Sequence, residues 1–339
     1  MTDDATPVRW GVLGAANIAV AKVIPAMMRS ERSRVVAIAS RDQSKATAAA
    51  SALGIPRAYG SYEALLADPD VEAIYNPLPN HLHVPWSIRA AEAGKHVLCE
   101  KPIALSAVEA EQLRAARDRT GVLVGEAFMV RTHPQWQEAR RLVESGSIGP
   151  LTLVSGHFSY YRRDRDDIRS RPEYGGGALM DIGCYPITLS RWLFGAEPIA
   201  VIAQIDRDPD FGVDRFVSAL MRFPGGQATF ACSGQLVPFQ RMELFGARGR
   251  IQVEIPFNAP PDRPCRIFVD DGSALGGLAA KVIEFPVVDQ YAVQADHFSD
   301  AIRGRGAVPV PIDDAVANMA VIDALFRSAD SARWEIPER

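Results

Sequence analysis

Apolar positions in the first third of the chain come as short β-branched runs separated by alanine-rich stretches where they recur every three or four residues. VRWGVLG, RVVAIAS, VEAIYNPLP, KHVLCEKP and VLVGEAFM read as strands. The stretches around IAVAKVIPAMMRS, SKATAAASALG, EALLAD, HVPWSIRAAEAG and SAVEAEQLRAARDRTG read as helices. Strands alternating with helices at this spacing imply right-handed crossovers onto a parallel sheet covered on both faces. The expected class is α/β, a Rossmann-type doubly wound parallel sheet binding a dinucleotide over residues 1–128.

After THPQWQEARRLVESGSIG, a connecting helix, the pattern changes. LTLVSGHFSYY, IAVIAQIDR, RFVSALMRFPGGQATFACSGQL, RMELFGARGRIQVEIPF, CRIFVDD and KVIEFPV are strands joined by hairpin-like glycine turns. Strand follows strand, so residues 129–339 are expected to form an α+β domain with a large, mostly antiparallel open sheet. The helical stretches ALMDIGCYPITLSRWLFG, YAVQADHFSDAIRG and DDAVANMAVIDALFRSA cover one face of it. The other face needs burial, which predicts a homodimer or homotetramer through the C-terminal sheet.

Composition narrows the functional classes. A chain of 339 residues, 47% hydrophobic and 23% charged, suits two globular domains with a cleft between them. A net charge of -4 offers no basic field for nucleic acid. The acidic N-terminus lacks a secretory pattern and no apolar run is long enough to span a bilayer, so a cytoplasmic protein without membrane contact is expected. Cys99, Cys184, Cys232 and Cys265 are scattered, which predicts reduced thiols rather than a disulfide framework or zinc site. His81 and His83 have no acidic or thiol companion nearby, and no metal is expected.

The turn after the first strand reads GVLGAANIA. Its G-x-G-x-x-G frame starts at Gly14, with Ala16 and Ala19 in the second and third glycine positions. Within a βαβ unit, Gly14, Ala15, Ala16, Asn17 and Ile18 would aim backbone N–H groups at a pyrophosphate. The second strand ends in Ser40-Arg41-Asp42. The Ser40 hydroxyl and Arg41, with Lys45 one turn on, suit a 2'-phosphate better than a bare ribose. NADP is therefore the expected cofactor, and Asp42 keeps NAD open.

The GVLGAANIA turn, the loop NPLPNHLH, the sequence Glu100-Lys101-Pro102 and the segment GGGALMDIGCY occur in the same order as in the glucose-fructose oxidoreductase / inositol dehydrogenase (Gfo/Idh/MocA) family. The chain resembles that family over nearly its whole length. The resemblance implies hydride transfer between a nicotinamide and a carbon bearing a hydroxyl, usually on a sugar, cyclitol or diol. By it, Lys101 contacts the substrate hydroxyl and the nicotinamide end of the cofactor, and Asp181 orients the substrate. Tyr185 falls where many members have histidine. Tyrosine is the acid/base in the sugar-oxidising branch and in dimeric dihydrodiol dehydrogenases, so an aldose (xylose- or glucose-like) rather than an inositol is implied. The resemblance also implies that Pro77, Leu78, Asn80 and His83 lie against the cofactor, that Arg162 or Arg163 reaches the site, that Tyr291 lies near the nicotinamide, that Glu100 fixes Lys101 or contacts the cofactor, and that Pro102 follows a cis bond.

Each reading has a plainer alternative: Asn80 as a helix cap, Tyr291 as core, the run YYRRDRDDIRSRPEYGGG as a solvated loop with compensating charges. The chemistry stands without the family. Oxidising an alcohol needs a base, and a free tyrosine, with a pKa of about 10, holds its proton too tightly. A lysine ammonium about 4 Å away, at an effective dielectric of about 20, would favour the phenolate by roughly 4 kcal/mol. Asp181 and Tyr185, four apart, share a face if helical, although Pro186 predicts a kink or late helix start. The leading expectation is an NADP-dependent aldose dehydrogenase giving a lactone. Its rivals are an aldose-aldose oxidoreductase with retained NADP, a trans-dihydrodiol dehydrogenase, and a dinucleotide-sensing regulator without turnover.

Overall fold

The computed structural model describes residues 6–338. They divide into two compact units, one running to Thr132 and taking back Asp289–Val316, the other formed by His133–Val288 and the chain from Ala317.

The first unit runs β1 (Val8–Leu13), α1 (Ile24–Met28), β2 (Ser33–Ala39), α2 (Gln43–Leu53), β3 (Arg57–Tyr59), α3 (Tyr62–Leu66), β4 (Ala73–Asn76), α4 (His83–Glu92), β5 (His96–Glu100), α5 (Ala107–Thr120) and β6 (Val124–Ala127). Its strands are all parallel, in the order β3-β2-β1-β4-β5-β6. The winding reverses between β1 and β4, and loops leaving such a point open a crevice that binds ligands. The central strands are buried at nearly every position, which is why they read as continuous apolar runs. β3 is a half-buried edge strand of three residues, too short for the sequence to show a period. A π-helical turn, Ala19–Val23, precedes α1 where a single helix was expected. Helices start where the sequence supplies an acceptor: Asp42 takes the N–H of Ser44 and Lys45, and Ser106 that of Glu109.

The second unit runs α6 (Pro134–Glu144), β7 (Leu151–Tyr161), α7 (Cys184–Phe194), β8 (Ala200–Arg207), β9 (Asp214–Phe223), β10 (Gly226–Ser233), β11 (Gln235–Gly246), β12 (Gly249–Val253), β13 (Cys265–Asp270) and β14 (Lys281–Phe285). The strand order is β14-β13-β12-β11-β7-β10-β9-β8, antiparallel throughout except for β7 beside β10. β7 alternates, with Val154, Gly156 and Phe158 buried and Leu153, Ser155 and His157 half-buried. The sheet carries a concavity of about 1010 Å³, lined among others by Ser155, His157, Gln204, Ser218, Thr229 and Arg241.

α8 (Gln290–Ile302), expected in the second domain, belongs to the first unit, and the division falls inside α9 (Ile312–Ser331), after Val316. The expected boundary after residue 128 lies after Thr132. The reason is a face of the parallel sheet that needs cover. Trp10 packs on Phe298 with centroids 5.7 Å apart and donates from Nε1 to Ser299 Oγ at 3.4 Å. Arg303 pairs with Glu72, and the Glu126 N–H donates to Val310 O. Among the described residues no helix is long and apolar enough to cross a membrane. The four cysteines are buried free thiols.

Candidate active site

The carboxyl ends of β1, β2, β4 and β5 carry the residues expected to hold a cofactor. Gly14 has φ +85°, and a Cβ there would sit 2.9 Å from Leu78 Cδ2 and 3.7 Å from Tyr62 Oη, so this tight turn needs glycine. Ala15, Ala16 and Ile18 are half-buried and Asn17 is exposed, leaving main chain that no bulky side chain covers. Ala19, fully buried, shows that a methyl group suffices where the helix packs on the strand. The cradle fits a pyrophosphate held by backbone N–H groups.

At the end of β2, Asp42 Oδ1 accepts from Ser44 Oγ at 2.6 Å, Ser44 N at 2.9 Å and Lys45 N at 3.4 Å, and these bonds lower its pKa. Its carboxylate is thus tied into the cap of α2, beside exposed Arg41 and Lys45 and half-buried Ser40. Burial raises the pKa of Tyr62, and the charge of Arg41 works against that rise. Tyr62 meets Trp86 edge-on at 4.7 Å, and Arg89 lies over Trp86. Neither aromatic ring had been singled out in the sequence.

Pro77 and Leu78 are buried, and Asn76 ties down the loop they start. Its Nδ2 donates to His83 O and Ser87 Oγ at 3.1 and 3.0 Å, and its Oδ1 accepts from Leu78 N. Asn80 opens a 3₁₀ turn, Asn80–Leu82, that leads into α4. His83, expected against the cofactor, is instead 1% exposed and spans two main-chain carbonyls, Leu78 O at 2.6 Å and Pro102 O at 2.7 Å. Burial pushes its pKa down to about 4 while the carbonyls pull it up. Both ring nitrogens are thus committed to the loop.

At the end of β5, the Tyr75 hydroxyl donates to Glu100 Oε1 at 2.6 Å. Burial first, and then the Glu100 carboxylate, push the Tyr75 and Tyr291 phenols upward. The Lys101–Pro102 bond is cis and Lys101 is half-buried. With His83 on Pro102 O and Glu126 Oε1 accepting the Ile103 N–H at 2.8 Å, the main chain is held on both sides of Lys101.

In the second unit, Asp181 lies in a π-helical turn, Leu179–Gly183, that leads into α7, and Pro186 is the third residue of α7. This wide turn is the form taken by the start that Pro186 was expected to disturb, and Cys184 Sγ donates to Asp181 O across it. Asp181 Oδ2 accepts from Tyr160 Oη at 2.6 Å and from Arg169 Nε at 2.8 Å. Asp181 raises the pKa of Arg169, and burial together with Asp181 raises that of Tyr160. The Tyr185 ring, 5% exposed, packs against Phe158 and Phe257 at 5.8 and 5.4 Å, themselves stacked at 4.5 Å. Arg162 and Arg163, expected to reach a ligand, are engaged by carboxylates: Arg162 by Asp167 at 2.6 Å, Arg163 by Asp208 at 3.1 Å and by Asp210. Arg169 and Tyr160 take the place beside Asp181. In a run with so many arginines the sequence carries no signal that selects Arg169.

A small-residue turn at the reversal point of a parallel sheet serves a dinucleotide, and the class so defined is the NAD(P)-dependent oxidoreductases. Residues 8–128 match the oxidoreductase family with an NAD-binding Rossmann fold, and residues 136–252 the GFO/IDH/MocA C-terminal domain. A D-xylose 1-dehydrogenase (NADP(+)) of Haloferax volcanii is 38% identical over 95% of this chain and 97% of its own. The aldose-aldose oxidoreductase of Caulobacter crescentus, solved with glycerol, superposes with a TM-score of 0.89 at 29% identity over 97% of this chain and 99% of its own. A 3-ketoreductase of Actinomadura kijaniata, solved with NADP and TDP-benzene, gives 0.87 at 31% identity over 95% and 98%. The chain belongs to the GFO/IDH/MocA oxidoreductase family.

Proposed function

We propose that this enzyme oxidises the anomeric hydroxyl of an uncharged aldose, xylose- or glucose-like, to the lactone in the cytoplasm, with NADP as its cofactor. The observation that carries this is the tyrosine four residues after the Asp181 carboxylate, buried against Phe158 and Phe257. It is supported by the likeness to a D-xylose 1-dehydrogenase (NADP(+)), and by Asp42 being consumed as a helix cap beside Arg41. Arginines of the 160–177 loop are offset by Asp167, Asp181 and Asp208, which suits a neutral sugar better than a nucleotide diphosphate.

NADP, when bound, supplies the hydride acceptor. The Gly14–Ile18 turn holds the pyrophosphate by its N–H groups, and Ser40, Arg41 and Lys45 hold the 2'-phosphate. Pro77, Leu78, Asn80, Glu100 and Tyr291 would contact the bound cofactor. Asp181, aimed by Tyr160 and Arg169, accepts from a sugar hydroxyl and so orients the ring. Tyr185 takes the hydroxyl proton as hydride leaves C1 and the C=O bond forms. Lys101 binds a substrate hydroxyl, and its positive charge favours loss of that hydroxyl's proton.

Following NADP and NAD reduction against a panel of aldoses, inositols and diols tests the substrate class. An aldose should give the highest kcat/KM with lactone as product, and activity confined to diols or inositols would overturn the reading. Tyr185→Phe should lower kcat by about 10² to 10⁴, and near-normal turnover would remove its role. A second reading, aldose-aldose oxidoreduction without cofactor release, is favoured by the likeness to the Caulobacter enzyme. NADP absorbance retained on the purified protein would decide for it.

We further propose that two copies pair through the face of the eight-stranded sheet that carries the 1010 Å³ concavity. Half-buried Leu220 and exposed Phe239 on that face support this.

A further inference from the structure

The segment that carries Asp181 and Tyr185 has no capping residue of its own. Ala178 precedes the π-helical turn without a side-chain bond. The acceptor comes from Asp214, the first residue of β9 and 35 positions on. Asp214 Oδ2 accepts the Leu179 N–H at 2.6 Å, and the N–H groups of Ala178 and of Asp214 itself also favour the carboxylate. The residue is 3% exposed, and burial pushes its pKa up to about 7 against those donors and against Arg207, its partner across β8.

The main chain is built around this carboxylate. Gly177 has φ +111°, and any Cβ there would overlap Asp214 Oδ1. The Gly177 N–H donates to Arg169 O at 3.0 Å, and Gly177 O accepts the Asp181 N–H at 3.2 Å. Asp214 therefore bears on the turn one bonded step from Asp181.

A π-helical turn holds one residue more than an α-helical turn, so its conversion to α moves every residue before it by one position, about 100° around the axis. Such a move would carry Asp181 off Tyr160 and Arg169. We propose that Asp214 is a positioning residue: by pinning Leu179 it keeps the wide turn in register and holds the Asp181 carboxylate where it receives substrate. The inference rests on the roles proposed for Asp181 and Tyr185.

The test uses the full chain with Asp214→Ala, Asp214→Asn and Gly177→Ala, reading hydrogen exchange of residues 178–185, NADPH affinity by fluorescence, and kcat and KM on the best aldose. Asp214→Ala should raise exchange at 178–183 about tenfold. It should lower kcat about 100-fold and change NADPH affinity less than about twofold. Asp214→Asn, which keeps an acceptor oxygen, should fall between it and the wild type, and Gly177→Ala, pressing on the carboxylate, should resemble Asp214→Ala. Unchanged exchange at 178–183 in Asp214→Ala overturns the proposal, whatever happens to kcat. So does failure of all three variants to fold, which would make the carboxylate a general structural group. If the wild type oxidises no aldose, the functional reading falls while the exchange measurement still decides whether Asp214 holds the segment.

Discussion

Asp42 spends its carboxylate on the first turn of α2, so the β2 edge offers Ser40, Arg41 and Lys45 to what binds there. A guanidinium on a phosphate is worth about 1.5–3 kcal/mol, so Arg41→Ala should weaken NADP about tenfold to a hundredfold. NAD, without the phosphate, should lose less than about twofold, and fluorescence titration with NADPH and NADH measures both. Equal losses would argue against a phosphate contact. The positions of Ser40, Arg41 and Lys45 were legible because they follow a strand whose end the apolar pattern marks. Arg169 and Asp214 were not: their bonds to Asp181 and Leu179 close over 12 and 35 residues, and local spacing says nothing about which side chains a folded loop brings back.

Elements were legible where their period is long enough to count. β7 occupies the residues its alternation predicts, and α5 runs from its Ser106 cap to Gly121. β3 and the two π-helical turns were not, the first being too short and the others differing from α-helix by one inserted residue. α8 was seen as a helix but given to the wrong sheet, because amphipathicity says that a face is buried and not against what. Its hold on the first unit is the fully buried Phe298 against Trp10. Phe298→Ala should cost about 3–5 kcal/mol. Denaturant unfolding followed by far-UV circular dichroism measures it, and a loss below about 1 kcal/mol would mean that α8 contributes little to that core.

For the whole molecule, the alternation of strand and helix followed by strand upon strand was enough to foresee two sheets of different kinds, and both are present. Pairing through the eight-stranded sheet is the proposal that belongs to this scale. Sedimentation equilibrium should give a dimer or larger assembly for the wild type, and Leu220→Arg, which sets a charge on that face, should yield monomer. A wild type that sediments as a monomer at micromolar concentration would end the proposal.

The return of residues 289–316 to the first unit has a consequence for inheritance and for synthesis. The coenzyme-binding unit is not one contiguous stretch of coding sequence, so exchanging it between relatives takes three crossovers, after residue 132, before 289 and after 316, instead of one. On the ribosome, β1 emerges early, but the helix that covers Trp10 follows only after the whole second sheet has been made. The chain must be translated through Ile302 before the parallel sheet gains its last cover.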